Sequence, residues 1–593
     1  MHVERVLEST CIYCRRWRCP VSHHVLFNLD GQEVDVEVDE NESLLSVLRE
    51  RLGVTSVKDG CAPQGQCGCC TVLVDGEARV SCVTPVDRII GRAVTTVEGL
   101  EPVWRDACAA SFVATGGSQC GFCTPGIIVR CASAVAKGRV DRASMERALA
   151  AHVCRCTGWQ SVLDALESPV ALDPSRDLSL AAERAALEGG VPQQVDASVP
   201  LGGAKFADDM APRDAVVAVP RSAGVEVSAE LAEGIAWVIA DTLRDARTAA
   251  GKVQGRRTTL DDSPPLPSLV APINGVALAT SWVDSGYLEP DASWCEPGGE
   301  PATARGNGGG FGGKADSLAP PAARILADRL QRSVRVVMSR EDVVRFSAKR
   351  APISATARFD GKLVTIRGTC ASGGESRLSK AAEIASPYGV GIDAVWDTAT
   401  LPVFRVSSAL RAFGLAETAV LVEGALTAAG ADRLSLIQDA RSASVLLDSC
   451  VLGFEGAIAG ARVKINAQTG KLEKVEVKVA AGDPLDDVVM RSYAAGAAHM
   501  ALGWVLTEGL AVDPETGEPL DLTIRSLGVI RAKDIPEIEV SIVDEAGPPL
   551  GRSSDAVFAA VAAAAWDALL LVDGSRPATF PARETRTARI LRR

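Results

Sequence analysis

The chain has 593 residues, a formal net charge of −13 and 47% hydrophobic residues, as expected for a soluble globular protein of several domains. Its acidic balance argues against nucleic acid as a partner. The longest apolar run, 556–572, is mostly alanine and is interrupted by Asp567. It is shorter than the ~20 residues that span a bilayer, so we expect a buried helix and no membrane association.

Seventeen cysteines would suit a disulfide framework in a secreted protein. No secretory signal precedes them, however, and eight of them fall into cluster spacings. We therefore expect a reducing cytoplasm as the compartment.

Within residues 1–24, three cysteines and the adjacent histidines at 23 and 24 form a set that could hold a metal through three thiolates and one imidazole. These residues are Cys11, Cys14, Cys19, His23 and His24. Arginines crowd the same segment, and no second C-x₂-C hook completes a site. We therefore expect a disordered extension or a misassigned start.

A regular pattern begins at Val25. Asp30-Gly31 supplies the turn of a hairpin, and the valines after it alternate with charged residues. Leucines at helical spacing follow in 43–52, and Gly53 stops that helix. Strand pair, helix, cysteine loop and closing strand predict a β-grasp ferredoxin unit.

The stretch 58–82, KDGCAPQGQCGCCTVLVDGEARVSC, holds four cysteines spaced to bind a [2Fe–2S] cluster. Plant-type ferredoxins use C-x₄-C-x₂-C…C, and here the first gap is five. Gly65 and Gly68 allow the backbone to curl around a cluster, whereas a zinc site needs no such loop. Cys69 is the spare thiol. The expected ligands are Cys61, Cys67, Cys70 and Cys82.

A second cysteine set lies in QCGFCTPG and, thirty residues later, VCRCTG. Between them, Pro125 starts one helix and Ser144 caps another. Two antiparallel helices would bring the cysteine pairs together at one end, for a second iron–sulfur cluster or a zinc ion. The expected ligands are Cys120, Cys123, Cys154 and Cys156.

These two motifs, in this order, resemble the iron–sulfur half of the molybdenum hydroxylases, the xanthine dehydrogenase and aldehyde oxidoreductase family. The resemblance covers about 25–170, and the form of the first loop is similar to the selenium-dependent xanthine dehydrogenase branch. It implies that both sets bind [2Fe–2S] clusters. It also implies that Gln119 hydrogen-bonds the pterin of a molybdenum cofactor.

The remaining chain resembles a shortened molybdenum-binding half. Residues 201–210 resemble its opening, and 286–297, GYLEPDASWCEP, resemble a substrate-side motif. Residues 213–285 hold only fragments of strand pattern, such as DAVVAVP and GIAWVIAD.

The glycine-rich run 305–314, RGNGGGFGGK, is by itself either a loop that approaches an oxyanion or a flexible linker. The resemblance implies that Gly310, Phe311 and Gly312 contact the cofactor. In LRAFG, it implies that Arg411 lies near metal and substrate, whereas the residue pattern alone also allows a surface or ion-paired arginine.

Two departures from the family matter. Several segments are shortened, which would alter loops that position ligands. The family's glutamate base aligns with Arg552, and an arginine cannot be deprotonated in a protein. Asp555, three residues on, could replace it only after a rearrangement of the loop.

We therefore predict an α+β multidomain chain with a β-grasp ferredoxin domain, a four-helix-type cluster domain and a contracted mixed α/β molybdopterin-binding domain. The expected units are the extension 1–24, the ferredoxin domain 25–100, the helical domain 101–170, a linker 171–200, the reduced first part of the molybdenum half 201–300, and the molybdopterin-binding domain 301–593.

The implied function is molybdenum-dependent hydroxylation of a purine-like heterocycle or an aldehyde. Two [2Fe–2S] clusters would relay the electrons to a separate FAD subunit or a soluble acceptor, and a homodimer is a family expectation. The alternative is an iron–sulfur electron-transfer or assembly protein whose catalytic half is degenerate.

Overall fold

The structure, a computed structural model, describes residues 22–167, 169–222, 224–252, 263–384, 386–401 and 404–592. Three cysteines of the possible N-terminal metal site lie outside these residues, namely Cys11, Cys14 and Cys19. His23 and His24 lie on the first strand, where their rings contact the carboxylates of Asp87 at 2.7 Å and Asp35 at 2.9 Å. Both histidines are thus engaged with the ferredoxin-type unit.

The first unit is a β-grasp sheet, as predicted. Its elements are β1 (Ser22–Leu29), β2 (Gln32–Asp39), α1 (Leu44–Ser46), β3 (Thr71–Val74), β4 (Glu77–Val80) and β5 (Ala93–Thr95). The strand order is β2-β1-β5-β3-β4, with β1 and β2 antiparallel across the turn at Asp30-Gly31. Helix α1 continues as a π-helix, Val47–Arg51, and the chain then turns at Gly53, which has a φ of +73°.

The second unit contains four helices: α2 (Pro102–Thr115), α3 (Thr124–Val135), α4 (Arg142–Ala148) and α5 (Gln160–Glu167). Pro125 lies in the first turn of α3, as predicted. The predicted cap of α4 was wrong, because Asp141 rather than Ser144 occupies the cap. The Asp141 carboxylate accepts a hydrogen bond from Ser144 N at 2.9 Å, which satisfies an end amide of the helix.

The linker carries a helix of its own and leads into a second five-stranded sheet. The elements are α6 (Leu178–Gly189), α7 (Ala207–Met210), β6 (Val216–Pro220), β7 (Glu230–Ala232), β8 (Ile235–Ala240), α8 (Leu243–Ala249), β9 (Gly275–Thr280), β10 (Asp291–Cys295), α9 (Ala319–Leu330), β11 (Val334–Met338) and α10 (Arg340–Phe346). The sheet has the order β10-β11-β6-β8-β7. It joins both predicted strand fragments to β11, so the expected domain boundary near residue 300 falls inside one sheet.

Two further sheets surround the helices of the last third of the chain. The elements are β12 (Ile353–Phe359), β13 (Leu363–Ala371), α11 (Glu375–Ala382), β14 (Gly391–Ala399), α12 (Leu415–Ala428), α13 (Arg433–Leu436), α14 (Ala440–Val445), β15 (Ser449–Leu452), β16 (Ile458–Ile465), β17 (Leu472–Ala480), α15 (Asp487–Leu506), β18 (Glu537–Ile542), α16 (Ser553–Asp573), β19 (Thr579–Phe580) and α17 (Arg586–Leu591). The strand orders are β14-β13-β12-β9-β19 and β15-β16-β17-β18.

Helix α16 is the alanine-rich helix predicted from composition. It is long and apolar enough to cross a membrane, but 83% of its most apolar stretch is buried inside the protein. It packs against α12, α15 and β16 within the largest hydrophobic core. This is the burial expected of a core helix.

A buried network of charges joins the ferredoxin unit to the chain after the linker. Lys58 Nζ donates to Asp209 Oδ2 at 2.6 Å, and Arg49 Nη2 donates to Asp208 and Asp209 at 2.9 and 2.8 Å. Arg335 of β11 also donates to Asp208, at 3.0 Å from Nε. Burial lowers the pKa of Lys58, and Asp209 opposes that shift. Because these charges lie out of water, each depends on its partner.

We predict that Asp209→Asn destabilises the protein by about 3–5 kcal/mol, because it leaves buried cations uncompensated. The measurement is the thermal unfolding midpoint followed by circular dichroism. Glu77→Gln is the matched control, since it breaks an exposed ion pair between Glu77 of the ferredoxin unit and Lys137 of the helical unit. If both variants lower the unfolding midpoint equally, or if Asp209→Asn does not lower it, the buried charge network does not stabilise the protein as we propose.

Candidate functional site

The first cysteine set is buried behind the β-grasp sheet. The thiol of Cys61 contacts those of Cys67 and Cys82, and the thiol of Cys82 also contacts that of Cys70. Hydrogen bonds from Cys67 and Cys82, together with the amides of Gln66 and Cys67 at 3.3 Å, hold the pKa of Cys61 well below its usual range. The thiolate is the form that binds metal, so this corner is prepared for a cation or a cluster.

The spare thiol, Cys69, is buried in the same loop. It contacts Cys67, whereas Cys82 contacts Cys61 and Cys70. The contact with Cys67 lowers the pKa of Cys69, but burial and the charges of nearby thiols together outweigh it and the pKa is raised. Cys69 is therefore a buried thiol beside one of the predicted ligands.

The second set brings its two cysteine pairs together. Cys120 and Cys156 lie 3.4 Å apart at their Sγ atoms, and the thiols of Cys123 and Cys154 are in contact. Hydrogen bonding from Cys123, followed by Thr157, lowers the pKa of Cys154 to about 6. Helix α3 begins directly after Cys123, where contact with the Cys154 thiol and burial raise the pKa of Cys123 well above its usual range.

The two sets pack directly on one another. Val153 N donates to Cys67 O at 3.0 Å, and the His152 ring lies over Gly68. A Cβ at Gly68 would be 2.4 Å from that ring, and a Cβ at Gly126 would be 2.5 Å from Gly68 O. Only glycine allows this approach, so the two sites form one continuous unit.

A cavity lies between the second thiol set and the glycine-rich run. The backbone has positive φ from Gly308 to Gly312, including Phe311 at +57°. A Cβ at Gly308 would lie 3.3 Å from that of Cys120, and one at Gly312 would lie 1.9 Å from Ala409 O. The glycines therefore set a loop against the thiols and are not a flexible linker.

Gln119 lies at the edge of this cavity. Its Nε2 donates to Cys156 O at 3.0 Å and to Ser492 Oγ at 2.8 Å. The amide nitrogen is thus committed to the protein, which leaves the amide oxygen for contact with a ligand.

A second cavity is also lined by Phe311, together with Arg411. Arg411 is 6% exposed, and its guanidinium lies 4.9 Å from the centre of the Phe311 ring. Its backbone N–H donates to Phe311 O at 3.0 Å. Burial lowers the pKa of Arg411, which Asp555 partly opposes. The structure thus brings Arg411 to the glycine-rich run and not to the surface.

Arg552 precedes α16 with a φ of +49° and is directed toward Glu455, at 3.3 Å from Nε. Asp555 is buried, and desolvation raises its pKa. Its Oδ2 accepts no hydrogen bond from the part of the chain that the structure describes. The same oxygen lies 3.9 Å from Arg552 Nη1, and the charges of Arg552 and then Arg411 oppose the rise in the pKa of Asp555. Asp555 is therefore a buried carboxylate that feels the guanidinium groups of both arginines.

Two buried hydroxyls at the cavities have no hydrogen-bond partner among the described residues. They are Tyr287 Oη in the first cavity and Ser285 Oγ in the second. Each such group costs about 1–3 kcal/mol when it is left unpaired. Together with Gln119 and Arg411 they form a polar set that fits a polar, anionic cofactor such as a pterin.

Two features escaped prediction from sequence. Glu188 of the linker helix accepts a hydrogen bond from Ser554 N at 3.0 Å and so occupies the N-terminus of α16. Arg155, between the cysteines of the C-R-C motif, forms a buried ion pair with Glu508. The sequence could have pointed to Arg155 only through its position between two predicted ligands. It could not have identified Glu508 as the partner, because Glu508 lies 353 residues away.

Family models match the first two units. Residues 27–88 match the 2Fe-2S iron-sulfur cluster binding domain, and 96–167 match the [2Fe-2S] binding domain.

Relatives match the same region. The isoquinoline 1-oxidoreductase subunit alpha of Brevundimonas diminuta is 38% identical over 138 residues, which are 23% of this chain and 90% of the relative. The xanthine dehydrogenase iron-sulfur-binding subunit of Escherichia coli O157:H7 is 36% identical over 140 residues, or 23% and 87%. The aldehyde oxidoreductase of Megalodesulfovibrio gigas is 38% identical over 157 residues, which are 25% of this chain but 17% of that protein.

The whole fold is similar to a solved structure, the aldehyde oxidoreductase from Desulfovibrio gigas. The TM-score is 0.72 at 15% sequence identity, over 96% of this chain and 100% of that one. The similarity of fold therefore extends beyond the region of sequence similarity.

We predict that Cys67→Ala removes the visible absorbance of one cluster and leaves that of the other, because it removes one of four converging thiols. Absorption and circular dichroism spectra in the visible range measure this. Cys69→Ala is the control and should leave both signals. Unchanged spectra in Cys67→Ala would refute the ligand assignment.

Proposed function

Because the chain belongs to the molybdenum hydroxylase family, we propose that it is a molybdenum-dependent oxidoreductase that relays substrate electrons through two [2Fe–2S] clusters. One observation carries the proposal. A four-thiol set opens on a cavity that is walled by the glycine-rich run and holds the unpartnered hydroxyl of Tyr287.

The eight cysteines would ligate the clusters, with Cys61, Cys67, Cys70 and Cys82 on the first and Cys120, Cys123, Cys154 and Cys156 on the second. Four thiolates for each cluster is the donor set that [2Fe–2S] centres require. The hydrogen bond from Val153 N to Cys67 O supports a short route between them.

The molybdenum-pterin cofactor, when bound, would supply two-electron oxidation with water as the source of oxygen. Gln119, Gly310, Phe311 and Gly312 would hold it, since they line or form the wall between the two cavities. Arg411 would orient an electron-rich substrate atom, because it is a buried cation at the second cavity.

We assign Asp555 as the group that holds a proton during turnover. Its desolvated carboxyl has a raised pKa, its Oδ2 accepts no hydrogen bond from the described chain, and the guanidinium groups of Arg552, 3.9 Å away, and Arg411 oppose the shift. Arg552 aligns with the family base but is paired with Glu455, and a guanidinium cannot act as a base.

The proposed substrate class is a purine-like heterocycle or an aldehyde, in the cytoplasm. Several relatives are separate iron–sulfur subunits of dehydrogenases, such as that of xanthine dehydrogenase. This supports an assembly with further subunits, and we propose an FAD subunit or a soluble carrier as the acceptor. A homodimer is part of the proposal.

A second candidate function is electron transfer or cluster assembly without catalysis. Arg552 at the family base position favours it, as does a sequence similarity that is confined to the first quarter of the chain. Metal content separates the two functions.

We predict about four irons per chain, from two [2Fe–2S] clusters, together with molybdenum in equal amount to the chain. Elemental analysis of protein expressed with molybdate measures both. Iron without molybdenum would favour the electron carrier, and the absence of iron would contradict both functions.

We predict that Asp555→Asn lowers turnover of a molybdenum-loaded protein by about 10²–10⁴-fold, the usual contribution of a general base. Because the pKa of Asp555 is raised, the acid limb of the pH–rate profile should lie above the ordinary aspartate range. Arg552→Glu is the comparison. If it raises turnover while Asp555→Asn has no effect, position 552 holds the base site instead.

A further inference from the structure

The C-R-C motif of the second thiol set places a charged side chain between two cysteines. Arg155 follows Cys154 and precedes Cys156, and it is 3% exposed. Its Nη1 and Nη2 donate to the two carboxylate oxygens of Glu508 at 2.5 and 2.6 Å, and its Nε donates to Ser285 O at 3.0 Å. Each of the three guanidinium nitrogens therefore donates a hydrogen bond within the protein, which fixes the orientation of the side chain.

The fold makes room for this pair at two glycines. A Cβ at Gly503 would lie 1.9 Å from Glu508 Oε1, and one at Gly286 would lie 3.1 Å from Arg155 Nε. The pair forms part of the wall of the second cavity, and Arg155 also lines the first. Arg155 therefore adjoins the thiol set in sequence and lines both cavities.

Asp284, which also lines the second cavity, is compensated by two cations. Asp284 is 3.1 Å from Arg340 and 3.4 Å from Lys349. Glu508 is 1% exposed, and burial raises its pKa while Arg155 opposes the shift. Arg155 is the charged residue closest in sequence to the thiols of the second set, and Glu508 is its counter-ion.

We propose that the Arg155–Glu508 pair sets the reduction potential of the second cluster. The inference rests on the proposed function, because it requires a [2Fe–2S] cluster on Cys120, Cys123, Cys154 and Cys156. Reduction adds one electron and no proton, so the cluster becomes more negative by one charge. A neighbouring cation stabilises the reduced form and an anion destabilises it, and charges at short range in a desolvated site act strongly.

Each substitution shifts the reduction potential of the second cluster in a direction set by the charge that is left without its partner. Glu508→Gln is nearly isosteric and leaves the Arg155 cation uncompensated, so reduction becomes easier. Arg155→Met leaves the Glu508 carboxylate uncompensated, so reduction becomes harder. Arg155→Lys keeps the positive charge but loses the bidentate geometry, so its effect on the potential should be small.

The chain offers a matched control in Arg350 and Glu417. Arg350 Nε and Nη2 donate to the Glu417 carboxylate at 2.6 and 3.1 Å, and both side chains are buried. Neither residue adjoins a cysteine of the two sets. Glu417→Gln therefore disturbs an equivalent buried pair without placing a new charge beside the second cluster.

The experiment measures the EPR signals of the full chain, reduced by dithionite at controlled potentials. The signal that survives in Cys67→Ala identifies the second cluster. We expect Glu508→Gln to shift its one-electron reduction equilibrium at least tenfold toward the reduced form, or 59 mV, and Arg155→Met to shift it in the opposite direction. Glu417→Gln should leave the potential of the second cluster unchanged, and none of these variants should change the potential of the first cluster.

A second-cluster potential that is the same in Glu508→Gln, Arg155→Met and Glu417→Gln would overturn the inference. If Glu508→Gln does not fold, the comparison of Arg155→Met with Arg155→Lys decides, and equal potentials in these two variants would also overturn it. Absence of both EPR signals from the unmodified protein would contradict the proposed function instead.

Discussion

One backbone hydrogen bond, from Val153 N to Cys67 O at 3.0 Å, joins the two cysteine sites, and much of the architecture serves that contact. It requires that the first loop and the segment before Cys154 approach without intervening side chains. Gly68 and Gly126 allow this approach, because a Cβ at Gly68 would overlap the His152 ring and a Cβ at Gly126 would overlap the backbone oxygen of Gly68. Electron relay between clusters depends on such proximity, so the packing of the two units is itself a functional feature.

Buried ion pairs connect the two packed cysteine-containing units to the rest of the chain. Lys58, just before the first thiol loop, is paired with Asp209, and Arg155, within the second, is paired with Glu508. A buried ion pair contributes little net stability compared with apolar packing, but it is costly to break and so specifies one geometry. The chain uses such pairs where a cysteine loop meets the part of the chain after residue 170.

The glycine-rich run and Arg411 are brought together at Phe311, where the guanidinium lies 4.9 Å from the ring centre. At the position that the resemblance aligns with the family's glutamate base, the chain has Arg552, and α16 begins directly after it. Glu188 supplies the anion at that helix N-terminus, and Asp555 supplies a buried carboxyl in the first turn. The structure therefore places two buried carboxylates and an arginine at one end of α16.

Spacing in the sequence was enough to determine the two cysteine sets, the β-grasp pattern, the helical unit and the buried nature of α16, because these depend on local geometry and on the periodicity of apolar residues. The positions of Arg411 and Phe311 were suggested by resemblance. Only the tertiary structure decided that Arg552 pairs with Glu455, that Glu188 caps α16 and that Arg155 meets Glu508. Those partners are separated by tens to hundreds of residues, and local pattern carries no information on which distant charges a fold will bury together.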